Sequence, residues 1–117
     1  MCGILFYTGK ERIVESHPSL KIVEHRGPDN ASVMNFSHNN YNITLGHRRL
    51  SIIDLSDSAH QPMNYASTGL WLTFNGEIYN YKILKSELES FGYKFKTDCD
   101  SEVLLAAYHK WGESCLN

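Results

Sequence analysis

The sequence predicts an α+β fold, and two observations carry that reading. Segments rich in aliphatic, aromatic and β-branched residues occupy the chain as far as Phe74, and segments with apolar residues at helical spacing follow. Strands therefore precede helices instead of alternating with them. The composition agrees: 42% of the 117 residues are hydrophobic and 21% are charged, as in a globular protein, and the length suits one domain.

Residues 2–7 read as the first strand, ending at Thr8-Gly9. Residues 10–24 carry weaker helical signals, with Ser16 as a cap, Pro18 near the first turn, and Leu20 and Val23 on one face. His25-Arg26-Gly27-Pro28-Asp29 is turn chemistry, because Pro fixes φ and Gly widens it. Residues 31–36 and 41–46 form a hairpin that turns over Ser37 to Asn40. Residues 48–53 hold Leu50, Ile52 and Ile53, and a polar loop runs from Asp54 to Gln61. Leu70-Trp71-Leu72-Thr73-Phe74 is the best strand and ends at Asn75-Gly76, a dipeptide that favours tight turns. A helix over 80–91 places Leu84, Leu88 and Phe91 on one face and stops at Gly92. A second over 101–111 does the same with Leu104, Tyr108 and Trp111, with Asp100 as N-cap and Gly112 as stop.

Several function classes fall away on composition. The 11 Lys and Arg against 13 Asp and Glu leave a net charge of −2, which gives no electrostatic reason to bind nucleic acid or an anionic membrane. No apolar run approaches the roughly 20 residues of a bilayer span. The three cysteines cannot all pair within one chain and form no CxxC, which suits free thiols in a reducing, cytoplasmic setting. The six histidines lack HxxxH or HExxH spacing, so no metal site is expected, and there is neither a GxGxxG nor a P-loop.

Four places could carry chemistry. If Met1 is removed, Cys2 combines a thiol and an α-amine whose ordinary pKa values lie close together, so one residue supplies both nucleophile and base. Cys2 could equally be a small apolar residue opening a strand. The Asn75 side-chain amide and the Gly76 N–H could point at one spot and hold an oxyanion, or the pair could simply be a β-turn. In His47-Arg48-Arg49 an arginine could hold a carboxylate bidentately, or the pair could be a solvated surface feature. In Asp98-Cys99-Asp100 a carboxylate near a helix start could bind an ammonium group, cap the helix, or do both.

The order and wording of these motifs say more than any one of them. Met1-Cys2-Gly3-Ile4, Arg26-Gly27-Pro28-Asp29, Gly46-His47-Arg48-Arg49-Leu50-Ser51-Ile52-Ile53-Asp54, Gln61-Pro62-Met63, Phe74-Asn75-Gly76-Glu77-Ile78-Tyr79-Asn80-Tyr81 and Asp100-Ser101-Glu102-Val103-Leu104-Leu105 follow one another along nearly the whole chain. Together they closely resemble the N-terminal glutaminase domain of glutamine-hydrolysing asparagine synthetases, which are class II glutamine amidotransferases. The resemblance implies an N-terminal nucleophile hydrolase fold, a four-layer αββα sandwich of which residues 1–117 supply the N-terminal part. It implies L-glutamine as substrate, Cys2 as nucleophile, and Asn75 and Gly76 as the oxyanion hole. Arg49 would hold the α-carboxylate, and backbone groups of Leu50, Ser51, Ile52 and Ile53 would line the same pocket. Glu77 and Asp100 resemble the acids near the α-amino group, with Asp98 as the other candidate for the second of these. The Arg-Gly-Pro-Asp loop would shape the pocket without a chemical step.

The resemblance places ATP and magnesium in a synthetase domain, whose Ser-Gly-Gly-x-Asp-Ser motif does not occur here, so a cofactor-free fragment is expected. The ammonia released would then amidate aspartate or a related acid in the full-length protein, which could be a homodimer. Against the enzyme stands a different class of reading, in which the chain is a non-catalytic domain, a fold fragment or partner-binding module.

Overall fold

The computed structural model describes residues 2–50 and 59–116, which form two compact units. The first gathers residues 2–50, 60–62 and 73–76, and the second gathers residues 59, 63–72 and 77–116. Strands fall mainly in the first and helices mainly in the second, in keeping with an α+β chain.

The first unit is built on an antiparallel sheet of β1 (Gly3–Gly9), β2 (Asn30–His38) and β3 (Tyr41–Arg49), in the order β1-β3-β2. β2 and β3 form the expected hairpin, but both strands run longer than the sequence suggests, closing at the His38–Tyr41 pair. The turn contains only Asn39 and Asn40, with φ of 46° and 64°. Asparagine tolerates the left-handed region that a two-residue hairpin demands. In the other pairing Gly3 stands opposite Arg48 and Gly9 opposite Asn42. The start of β1 and the end of β3 therefore lie side by side.

The helix expected within 10–24 is the short α1 (Pro18–Ile22). Its cap is His17, not Ser16: Pro18 opens the helix, and the His17 Nδ1 accepts the Ser19 N–H at 3.2 Å. Leu20 and Ile13 are fully enclosed, at 0% and 2% exposure. Burying each such side chain contributes about 1.5–3 kcal/mol. A 3-10 turn over Glu24–Arg26 then leads into the Gly27-Pro28-Asp29 segment.

The second unit holds a two-stranded pairing, β4 (Met63–Asn64) with β5 (Trp71–Leu72), and the helices α2 (Tyr81–Ser90) and α3 (Asp100–Trp111). Its core joins Met63, Tyr65, Leu88, Val103, Ala106 and Ala107. Two expectations need correction here. The strand expected over 70–74 is only Trp71–Leu72, because Thr73 and Phe74 make their polar links within the first unit: Thr73 Oγ1 donates to the Gly46 carbonyl at 3.2 Å, and the Phe74 N–H donates to the Gln61 side chain. On α3, Tyr108 is exposed and Leu104 only half-buried, while Val103, Leu105, Ala106 and Ala107 are buried. Two of these four are alanines, which a search for large apolar residues passes over. Among the described residues no helix is long and apolar enough to cross a membrane.

Candidate active site

Cys2 sits just before β1, one step beyond the Gly3–Arg48 pair. Its sulfur lies against the peptide that follows β3: the Leu50 N–H donates to Cys2 Sγ at 3.4 Å, and the thiol faces the Leu50 carbonyl at 3.8 Å. An N–H aimed at sulfur complements negative charge there. The Cys2 carbonyl is held in turn by Arg26, whose Nε donates to it at 3.2 Å.

Arg26 opens the Arg-Gly-Pro-Asp segment, and the rest of that segment grips the end of β3. The Asp29 N–H donates to the Arg49 carbonyl at 3.0 Å. Gly27 approaches so closely that a Cβ on it would fall 2.1 Å from the Arg48 carbonyl oxygen and 2.7 Å from the Arg49 nitrogen. Those are main-chain atoms that cannot step aside, so only glycine fits. The first unit thus brings Cys2, Arg49 and Leu50 together around one strand end. Arg49 is buried at 6% exposure, which sets aside the reading of a solvated surface arginine. Arg48, on the other face, pairs with Glu24 at 2.7 Å. Ser51, Ile52 and Ile53 lie outside the described residues.

Asn75 and Gly76 also belong to the first unit, following Thr73 and Phe74. They form no hairpin turn: Asn75 is irregular and Gly76 a bend. A Cβ on Gly76 would lie 2.5 Å from Cζ of Phe74, so a larger residue here requires that ring to turn aside.

Beneath this segment lies His47, 1% exposed. Its pKa is pushed down to about 4, chiefly by burial; the Phe74 backbone opposes the shift, and the charges of Arg49 and His60 add to it. The imidazole is therefore neutral at ordinary pH.

Glu77 and Asp100 belong to the second unit. Glu77 is exposed. Asp100 is the first residue of α3, not its cap, which is Cys99. Its carboxylate accepts the Ile78 N–H at 3.0 Å, next to Glu77, and is 6% exposed. Asp98 points elsewhere, with its side chain 89% exposed and 2.8 Å from Lys85 Nζ. Glu102, on the first turn of α3, accepts the N–H groups of Lys96 and Thr97 at 3.0 and 2.8 Å and the Thr97 hydroxyl at 2.6 Å. It thereby fixes the loop that delivers Asp100.

The three cysteines have different surroundings. Cys99 is buried beside Thr97, and burial pushes its thiol pKa up, an inert setting. Cys115 packs against the core of the second unit. Cys2 is half-buried. Sequence reasoning gave Arg26 only a part in a pocket-shaping loop and left Gln61 and Glu102 without a role. All three stand within the ordered motifs, but nothing in their spacing discloses what they bind.

Residues 1–117 match the family model described as glutamine amidotransferase domain. Glutamine-hydrolyzing asparagine synthetase 1 of Bacillus subtilis is 39% identical over 100% of this chain and 19% of its own length. Glutamine-hydrolyzing asparagine synthetase 2 of Oryza sativa subsp. japonica is 37% identical over 100% of this chain and 20% of its own length. Amidase chry2 of Gibberella zeae is 40% identical over 92% of this chain and 16% of its own length. The chain belongs to the glutamine amidotransferase domain family. It spans a quarter or less of the length of the curated relatives it matches.

Proposed function

We propose that this chain is the glutaminase portion of an asparagine synthetase-like enzyme, with Cys2 as the nucleophile once Met1 is removed. The observation that carries the proposal is the setting of the Cys2 sulfur, 3.4 Å from the Leu50 nitrogen and directly beyond Arg49, in a chain matched over its whole length by the family.

The Cys2 thiol gives its proton to its own α-amine, and the thiolate attacks the side-chain amide carbon of L-glutamine. The carbonyl π electrons move onto oxygen, and the Asn75 amide and the Gly76 N–H hold the resulting oxyanion. As the tetrahedral species collapses, the C–N bond breaks and the α-ammonium passes its proton to the leaving nitrogen. Ammonia departs and a γ-glutamyl thioester remains. Water, deprotonated by the same amine, attacks the thioester; the C–S bond breaks, and glutamate leaves with the thiol restored. Arg49 holds the α-carboxylate of glutamine, and Glu77 and Asp100 take its α-ammonium. The orientation of Asp98 toward Lys85 favours Asp100 for that role. The four-layer sandwich belongs to the same proposal. So do the onward use of ammonia to amidate a carboxylic acid such as aspartate, and the assignment of ATP and magnesium to residues outside this chain.

Two experiments test it. Incubation with 6-diazo-5-oxonorleucine, followed by intact mass, is expected to give one adduct on a chain lacking Met1, and Cys2→Ala is expected to give none and to release no glutamate from glutamine. Glutamate release that survived Cys2→Ala would overturn the assignment. Asn75→Ala is expected to lower the rate by about 10²–10³, and an unchanged rate would remove Asn75 from the oxyanion hole.

A further inference from the structure

We infer that Gln61 is a positioning residue for the oxyanion-binding segment, acting through the main chain of Phe74; the inference rests on the reading of Asn75 and Gly76 given above. Gln61 is buried at 8% exposure, and its side-chain carbonyl accepts the Phe74 N–H at 2.6 Å. That peptide lies one residue before Asn75. Gln61 is itself anchored, because its main-chain carbonyl accepts the Ser32 hydroxyl from β2. On the other side of the same peptide, Thr73 Oγ1 reaches the Gly46 carbonyl of β3 at 3.2 Å. The Phe74 ring, set by these two tethers, fills the space over Gly76. Among the described residues, 73–76 form no ladder with a neighbouring strand. There, side-chain hydrogen bonds from Thr73 and to Gln61, with His47 at the Phe74 backbone, hold the segment.

Oxyanion donors act only if they are already in place when charge develops, within about half an ångström. Removing the Gln61 acceptor leaves a part-buried N–H to find a new partner, and the chain can do so only by moving Phe74 and, with it, Asn75 and Gly76. The loss should fall on the transition state and leave ground-state binding of glutamine alone, since Gln61 touches neither end of the substrate in this assignment.

The test compares Gln61→Met with the parent chain. The expected result is a fall in kcat of about ten- to a hundredfold with KM for glutamine within about twofold. Inhibition by L-glutamate γ-semialdehyde, which forms a tetrahedral adduct with a thiol, is expected to weaken by the same factor, while inhibition by the product glutamate stays constant. Gln61→Glu, which keeps an acceptor oxygen in the same place, is expected to recover most of the aldehyde affinity. If Gln61→Met does not fold, Gln61→Asn withdraws the acceptor by one methylene and is measured in its place. Aldehyde affinity that stays at the parent value, or a loss that appears in KM and kcat alike, overturns the inference. A parent chain that neither hydrolyses glutamine nor takes up 6-diazo-5-oxonorleucine at Cys2 overturns the underlying function instead.

Discussion

At His47 the burial that supports the candidate site also limits the pH range of the fold. The imidazole is neutral in the native chain down to about pH 4, whereas an unfolded chain protonates it near the ordinary value of 6.5. As pH falls between those values the unfolded state binds the proton first, so the stability held above pH 6.5 is lost progressively toward pH 4. The full loss is at most roughly 3 kcal/mol. Melting temperatures from pH 7 to 4.5 are expected to fall more steeply for the parent than for His47→Gln, and parallel slopes would assign the acid sensitivity to other groups. At this scale the sequence singles out candidates, and the first unit holds four of them: Cys2 and Arg49 at one strand end, and Asn75 and Gly76 in the segment after Phe74. The order of the motifs is what singles them out and what the proposed roles start from. The bonds from Arg26 to Cys2 and from Gln61 to Phe74 were not legible, because they join side chains to main-chain groups far away in sequence, and no periodicity records such a partner.

The elements differ in how much of their stability the sequence announces. The β2–β3 hairpin is announced by two short strand segments around a turn over Ser37 to Asn40, which the structure narrows to Asn39 and Asn40, both held at positive φ. Asn40→Val is expected to destabilise the chain by about 1–2 kcal/mol, since a β-branched residue resists the left-handed region, and urea unfolding measures this. The start of α3 is announced by its acidic residues, yet their division of labour is not. Glu102 satisfies three donors of the preceding loop, and Asp100 binds the Ile78 N–H where a cap was expected. Glu102→Ala strands those donors and is expected to lower stability by about 2–3 kcal/mol. Glu102→Gln, which keeps one acceptor, is expected to cost clearly less; equal losses would show that packing, not hydrogen bonding, sets the value. The strand over 70–74 fell short for a related reason: β propensity describes Thr73 and Phe74 well, but specific side-chain acceptors decide where they go.

Across the whole molecule, apolar surface is unevenly covered. Ile4 and Phe6, on the same face of β1, are 49% and 66% exposed, while Leu20 and Ile13 are enclosed. A patch of this kind binds an apolar dye such as 8-anilinonaphthalene-1-sulfonate. Fluorescence of that dye on the folded chain is expected to drop in the Ile4→Thr/Phe6→Thr double variant, with the circular dichroism unchanged; an undiminished signal would locate the dye elsewhere. A different map of the molecule would come from saturation mutagenesis scored by growth. Gly27, pressed against the main chain of Arg48 and Arg49, would score as intolerant as Cys2, although none of its atoms enters the proposed reaction. The two would separate in protein abundance: an inert Cys2 variant would accumulate normally, and a Gly27 variant would be cleared by the cell's proteases. Fitness alone would count both as catalytic, and a paired abundance screen would tell the proposed nucleophile from the wedge against the end of β3.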